Sequence, residues 1–477
     1  MENQALLQPT QSPPCDRPQT AGGPDPERFD WKEAWHPLFF VSDLDPRQPH
    51  RFTLLDQDLV IWWDQAGNTW RAFEDQCPHR LAPLSQGRIN AAGQLECPYH
   101  GWAFSGAGDC EVIPQQAAKA QAQLAQRACA KALPTAIHQG LLFAYAGDAC
   151  NADTTQLPTV DPLEDGDDSW VMLTMFRDLP YDALTLLENV LDPSHLPYTH
   201  HKSVGNRVNA GPTQMNLLTQ DKSGFTGIWP EGPRLGKLGT QTTTFVAPNL
   251  MWHDLTSQQF GRTLTVVYAT PTHKGQCRLF AKFPFKFPSK IPALFIQLTP
   301  TWFSHLNQNG VLEDDQIFLH FQERYLEKLG GSEAYKQAFY LPTKADTFVV
   351  ALRDWVNRYG ADPFPGQRLP GAIENLDLLL DRYTSHTQHC ASCRGALQNV
   401  QRGKVWAIAL AALAWALATL LPRLTPLPVG FEAALVILAL AALASRYGLT
   451  QLERKFYEGR TVPPRNLPES QSTGGKR

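Results

Sequence analysis

The chain is short of charge: only 18% of its 477 residues are Asp, Glu, Lys or Arg, and acids outnumber bases by 46 to 42. A formal net charge of −4 offers no basic excess to a phosphate backbone and argues against a nucleic-acid partner. An apolar signal run is missing from the N-terminus. Residues 1–28 are rich in Pro, Gln and Gly and contain Glu2, Asp16, Asp25 and Glu27, unlike an acid-poor transit peptide, so the expectation is a disordered segment on a protein that faces the cytoplasm. A disulfide framework is missing too. Cys15, Cys110, Cys129, Cys150 and Cys277 are scattered and read as reduced thiols of a reducing compartment. The length leaves room for about three domains, and 43% apolar residues supply sizeable cores.

The other four cysteines stand in patterns. Cys77-Pro-His79 and Cys97-Pro-Tyr-His100 are two short Cys/His loops, in the order that holds a Rieske 2Fe-2S cluster. Two thiolates hold one iron and two imidazoles the other, so the loops must face each other. The stretch from Arg80 to Glu96, with Gly87 and Gly93 marking turns, is long enough for a hairpin that brings them together. A zinc site with mixed ligands, or four unrelated buried residues, is the alternative; zinc sites usually use Cys-x2-Cys or His-x3-His spacings. Gly101 and Trp102 after His100 resemble the Rieske family, where a small residue admits the backbone to the cluster and an aromatic covers it. Rieske proteins of respiratory complexes carry a further Cys in each loop. Here those places hold Ala82 and Tyr99, which resembles the oxygenase and ferredoxin type.

A second constellation is Glu188-Asn-Val-Leu-Asp192-Pro-Ser-His195-Leu-Pro-Tyr-Thr-His200. Leu184, Leu187 and Leu191 recur at helical spacing, which places Glu188, Asp192 and His195 on one stripe. Pro193 and Pro197 end or bend that helix, so that His200 can converge with His195 on one metal. Two His ligands need a carboxylate to complete the facial triad of a non-haem iron(II) oxygenase. Glu313, Asp314 and Asp315 are the candidates downstream. The plain alternative for this acidic run is a solvated loop before a helix.

Together these motifs resemble the Rieske-type non-haem iron oxygenases, residue by residue at both sites. In that family the triad ends with an Asp seven residues before a Gln, which implies Asp315, before Gln322, as third ligand, with Asp314 as runner-up. The family pattern also implies that Asp192 bridges His195 to a cluster ligand, expected to be His100 of a neighbouring subunit, and hence a homotrimer. Phe29-Asp-Trp31, Trp35-His-Pro37, Val60-Ile-Trp-Trp-Asp64, Cys77 to Ser85 and Asp381-Arg-Tyr-Thr-Ser-His386 resemble a narrower branch, that of pheophorbide a oxygenase and chlorophyllide a oxygenase. The resemblance runs from about Phe29 to about Arg460. It implies a monooxygenase with a 2Fe-2S cluster and mononuclear Fe2+, drawing electrons from ferredoxin or a ferredoxin-like reductant, and placing one atom of O2 in a chlorophyll-derived tetrapyrrole. A cyanobacterial thylakoid or plasma membrane is the location it suggests. An oxygenase of a sterol or other membrane lipid, or a non-catalytic membrane redox protein, is the alternative.

Cys390-Ala-Ser-Cys393 has a counterpart in pheophorbide a oxygenase-like proteins, where it is regarded as a redox-responsive dithiol. The residues alone allow a dithiol, an inert pair, or a zinc site completed by His386 and His389. Val405 to Leu421 and Leu427 to Ala444 are apolar runs near the lower limit for crossing a bilayer, joined by Pro422-Arg-Leu-Thr-Pro426. Basic residues gather outside them, at Arg394, Arg402, Lys404, Arg446, Arg454, Lys455 and Arg460, which puts both ends on the cytoplasmic side. A pair of Ala-rich helices packed in a trimer core is the alternative. The fold expected is α+β: an all-β Rieske domain over 29–150, an α+β mononuclear-iron domain over 151–380, a Cys-x2-Cys linker over 381–403, a transmembrane helical hairpin over 404–447 and a flexible tail over 448–477. Gln115 to Ala130 is of low complexity, and His253, His305 and His320 read as satisfied core histidines.

Overall fold

The computed structural model describes residues 27–117, 125–164, 169–257, 261–424 and 428–468. The segment before Glu27 with Cys15, the middle of the low-complexity stretch, the end of the helix connection and the tail from residue 469 lie outside the described residues. The chain divides into two compact units, one comprising residues up to Gln297 together with Phe318–Ala372, the other Leu298–Ile317 together with Ile373 onward.

The first unit opens with three small antiparallel sheets. One pairs Trp35–Phe40, Leu141–Tyr145 and Thr135–His138; a second runs through His50–Leu54, Gln57–Asp64, Thr69–Glu74 and Ala132–Leu133. The third, of two- and three-residue strands from Arg88 to Val112, contains the hairpin expected between the Cys/His loops: Arg88–Ile89 pairs with Leu95–Glu96 around Gly93. Val60, Trp62, Phe73, Leu95 and Phe104 form the core beneath these loops and enclose both Cys77 and Cys97. Burial of such side chains at roughly 25 cal/mol per Å² is what holds so short-stranded a domain together.

A seven-stranded antiparallel sheet follows, in the order Val171–Leu179, Gln276–Lys286, Gly261–His273, Leu250–Ser257, Gln241–Val246, Gly224–Trp229 and Asn216–Asp221. Helix α1, Ala183–Leu191, packs on this sheet with Leu184, Leu186, Leu187 and Leu191 buried. It ends at Leu191 because Asp192 is extended, at φ −100° and ψ 93°, as a residue before proline prefers. Pro193–His195 is then a 3-10 turn, and Leu196–Thr199 a single helical turn with Pro197 in its first turn. The prolines therefore break the helix where expected. The stripe expected to carry Glu188, Asp192 and His195 stops short of its last two members.

Helix α2, Thr301–Lys328, is one continuous element. Glu313, Asp314 and Asp315 lie in its middle and are all buried, so the acidic run is neither a loop nor solvated. Helix α3, Thr347–Tyr359, packs against α1 and the sheet, and stops at Gly360, whose φ of +57° suits a helix end without a side chain.

In the second unit, residues 381–403, expected as a linker, are folded. Tyr383–Thr387 makes a π-helical turn, and helix α4 starts at Ala391 and runs to Leu424. Helix α5, Val429–Arg454, returns alongside it. Both are long and apolar enough to cross a membrane. Ala407, Ala411, Ala414, Ala439 and Ala442 are buried, whereas Trp406, Leu413, Trp415, Ile437 and Leu440 are exposed. Small residues inside and large apolar ones outside is the reverse of the first unit's core.

Candidate metal centres

The two Cys/His loops repeat one backbone pattern. Cys77 N–H donates to the Ala82 carbonyl and Leu81 N–H to the Cys77 carbonyl; Cys97 N–H donates to the Trp102 carbonyl and Gly101 N–H to the Cys97 carbonyl. The fifth residue of each loop turns through the left-handed region, Leu81 at φ +59° and Gly101 at +72°. Both sulfurs are thereby held inside, at 1–2% residue exposure, while the His79 ring is exposed and His100 half-buried. The rings lie 4.5 Å apart, and Trp102 stacks on His79 at 4.7 Å and 3°. Burial pushes the Cys77 thiol up to about 12, with Cys97 beside it adding to the rise. A sulfur so placed becomes a thiolate by binding metal. Two inner sulfurs and two outer imidazoles fit the ligand set that a two-iron cluster would take, with the thiolates holding one iron and the imidazoles the other.

In the first unit His195 and His200 converge, with ring centroids 5.3 Å apart and planes at 66°. His195 Nδ1 donates to the Asp192 carbonyl, which fixes the tautomer and leaves Nε2 with the lone pair a metal needs. The Asp192 carboxylate lies 3.9 Å from the same Nδ1 and accepts from Ser194 N–H at 2.8 Å. Behind them His253 bridges Thr243 Oγ1 and the Val190 carbonyl, at 2.8 and 2.9 Å. Burial lowers its pKa to about 4, so it stays neutral and structural, as expected.

Asp192, His195, Asn189, Phe318 and Gln322 line a cavity of about 150 Å³. Glu188 also borders it but is bound by buried Arg353, so its carboxylate is engaged in an ion pair. Glu323 on the same wall accepts from Asp182 N–H at 2.8 Å and Thr185 Oγ1 at 2.9 Å. Burial, helped by the neighbouring Asp182 charge, raises its pKa to about 7. Sequence spacing gave no signal for Glu323 or Arg353 on this wall, since Asp182, Thr185 and Glu188, which they hold, lie more than 130 residues away.

The remaining pair, Cys390 and Cys393, is buried with His386 and with His305, not with His389. His389 instead meets Gln388. His305 comes from α2, 81 residues before His386, and was expected to be a core histidine.

The Rieske 2Fe-2S domain family matches residues 34–133, and the pheophorbide a oxygenase family matches residues 245–333. The chain is 36% identical to pheophorbide a oxygenase of Oryza sativa subsp. japonica, over 94% of this chain and 87% of that protein. It is 31% identical to flavonoid 8-hydroxylase 2 of Ocimum basilicum, over 95% and 89%. Its fold resembles dicamba monooxygenase solved with non-haem iron and dicamba, at TM-score 0.54 and 18% identity, over 68% of this chain and 96% of that one. A likeness spanning nearly the whole of both chains, on this fold and with these motifs, makes the protein a Rieske oxygenase with a 2Fe-2S cluster and mononuclear iron, and it belongs to the pheophorbide a oxygenase family.

Proposed function

We propose that the chain is a membrane-anchored monooxygenase that uses O2 and ferredoxin-derived electrons to oxygenate a chlorophyll-derived tetrapyrrole of the pheophorbide a or chlorophyllide a type. The observation that carries the substrate class is the 36% identity to the rice pheophorbide a oxygenase across 94% of the chain. When bound, the cluster supplies electrons one at a time and the mononuclear iron supplies O2 activation. Cys77, His79, Cys97 and His100 would hold the first, and His195, His200 and Asp315 the second.

Asp315 is favoured by elimination and by register. Glu313 is bound by Arg382 through two bonds of 2.6 and 2.7 Å, and the Asp314 carboxylate has Arg460 at 3.7 Å. Asp315 and Gln322, seven residues apart on one continuous helix, share a face, and Gln322 lines the cavity beside His195. Asp192 is the positioning residue: its carbonyl sets the His195 ring, and its partly exposed carboxylate is the group that a ligand of a neighbouring subunit would meet. The outward-facing His79 and His100 are what such an exchange in a homotrimer would require.

The cavity holds small molecules and the edge of a substrate, not a whole macrocycle, since drug-sized ligands occupy roughly 300–1,000 Å³. The segment carrying the two His ligands exposes Leu196, Tyr198, Val204 and Val208. These give an amphipathic ring system an apolar surface to lie on. The hairpin α4–α5, apolar on its outer face, supports a bilayer anchor that keeps the body near lipid-borne pigment. The basic residues at both helix ends support a cytoplasmic body.

The test is single turnover of the anaerobically reduced, detergent-solubilised protein with isotope-labelled O2 and pheophorbide a, chlorophyllide a, a flavone or a 4-methylsterol. Label incorporated into a tetrapyrrole is the expected result. Label in the flavone or sterol alone would overturn the substrate class and keep the oxygenase.

A further inference from the structure

The strongest feature outside the oxygenase machinery is the buried set His305, His386, Cys390 and Cys393. One donor atom from each lies within 4.8 Å of all the others. His386, Cys390 and Cys393 stand at i, i+4 and i+7 where the π-helical turn passes into α4, and Cys390 N–H donates to the His386 carbonyl and Arg394 N–H to the Cys390 carbonyl, which keeps them on a single stripe. The π-helical turn Tyr383–Thr387 sets this up: Thr387 and Gln388 donate five residues back, to the Arg382 and Tyr383 carbonyls. Such one-turn π segments occur often at functional sites. His305 reaches the stripe from α2.

The distances decide what the set is suited to hold. A tetrahedral zinc with Zn–S of about 2.3 Å and Zn–N of about 2.0–2.1 Å has S–N edges of about 3.6 Å and an N–N edge of about 3.3 Å. Here both Cys390 Sγ and Cys393 Sγ stand 3.5 Å from His305 Nδ1, Cys393 Sγ stands 3.3 Å from His386 Nε2, and the two imidazole nitrogens are 3.1 Å apart. Three residues lie at 0–1% exposure and His305 at 4%, so the position is closed to solvent, as structural zinc sites are. Two thiolates neutralise one Zn2+, and two neutral imidazoles complete the shell. The assembled site then carries no net charge into a dry interior, where an unbalanced ion would be costly.

We propose that His305, His386, Cys390 and Cys393 bind one structural zinc ion that clamps α2 to the foot of the membrane helix α4. The surroundings fit a fixed junction. Arg382 joins Glu313 of α2 and the Lys455 carbonyl beyond α5, and Thr387 Oγ1 donates to the Phe456 carbonyl. His305 and Asp315 are ten residues apart on α2, roughly 15 Å along its axis. The ion therefore sets the placement of the helix that carries the proposed iron carboxylate, and binding releases two thiol protons with no change of oxidation state.

The test is zinc analysis and zinc-edge X-ray absorption of the full chain, purified in detergent without chelator. The expected result is one zinc per chain in a shell of two sulfurs and two nitrogens; His305→Ala and Cys393→Ser lose it while the visible absorption of the cluster persists. A wild-type protein free of zinc, with Cys390 and Cys393 joined or readily alkylated, would overturn the site in favour of a dithiol. A zinc shell of nitrogen and oxygen alone would also overturn it, because that ion would sit elsewhere. The wild-type spectrum decides the matter even where a variant fails to fold.

Discussion

Two cysteines and two histidines occur twice in this chain, and the same donors are arranged in opposite ways. In the loops around Cys77 and Cys97 the sulfurs are buried and His79 is exposed; at the junction of α2 and α4 all four donors are buried and crowd one point. The first arrangement is built on two separate loops joined by a hairpin, with an inside and an outside, as electron exchange at a surface demands. The second is built on helices and faces nothing but protein. Exposure, more than ligand identity, separates a centre that must pass electrons from one that only holds elements together.

The largest effects come from exchanging these roles. Cys97→Ser should abolish the cluster and all turnover while leaving zinc in place; Cys393→Ser should do the reverse, removing zinc and keeping the cluster signal. Electron paramagnetic resonance of the reduced protein and metal analysis read both at once. Loss of both metals in either variant would erase the distinction. His195→Ala should remove the mononuclear iron and detectable oxygenation without altering the cluster signal, and retention of that iron would sink the ligand assignment.

Structural connections at the junction come next. Glu313 and Arg382 are buried, with side-chain exposures of 1% and 5%. Arg382→Ala leaves the buried carboxylate with the Arg460 N–H but without its guanidinium, and removing one partner of a buried pair costs about 3–5 kcal/mol. A fall in thermal midpoint several times that of Arg47→Ala, whose ion pair with Asp45 is largely exposed, is the expected outcome. Equal falls would mean that the junction does not hold the fold.

The two sets were not equally legible in the sequence. Cys77, His79, Cys97 and His100 lie within two loops, and His195 and His200 within one broken helix, so short-range spacing and two prolines carried the information. His305 was invisible as a ligand because its partners come 81 residues later, and His389, nearer in sequence, stands on the wrong side of the turn. The acidic run resembled a solvated loop for the same reason. Its arginine partners, Arg382 and Arg460, lie 69 and 147 residues away, and only tertiary contact makes a buried Glu313 tolerable. The seven-stranded sheet, whose strands include the 13 residues of Gly261–His273, is likewise assembled by pairings that local spacing does not announce.

A smaller effect separates positioning from ligation. Asp192→Asn should keep both iron centres, since the backbone carbonyl still orients His195, yet turnover should fall about 10–100-fold, as is usual when a ligand's supporting partner is lost. Iron content and cluster potential unchanged, with slowed transfer from the reduced cluster, is the signature. Iron lost in proportion to activity would make Asp192 a structural support only.

The smallest effect tests whether the cavity wall titrates. Glu323 faces the charges of Asp182, Arg324 and Lys274, and burial raises its pKa from 4.5 to about 7. Because the folded state holds this proton more tightly than the unfolded chain, the associated stability is fully present below about pH 4.5 and drains away as pH rises through about 7. Glu323→Gln keeps an oxygen acceptor for Asp182 N–H and Thr185 Oγ1 but removes the titration. The variant's thermal midpoint should therefore fall less than that of the wild type between pH 5 and pH 8. Parallel profiles would show that Glu323 is ionised throughout, with Arg324 and Lys274 outweighing its burial. In that case the cavity wall carries a fixed charge across this pH range.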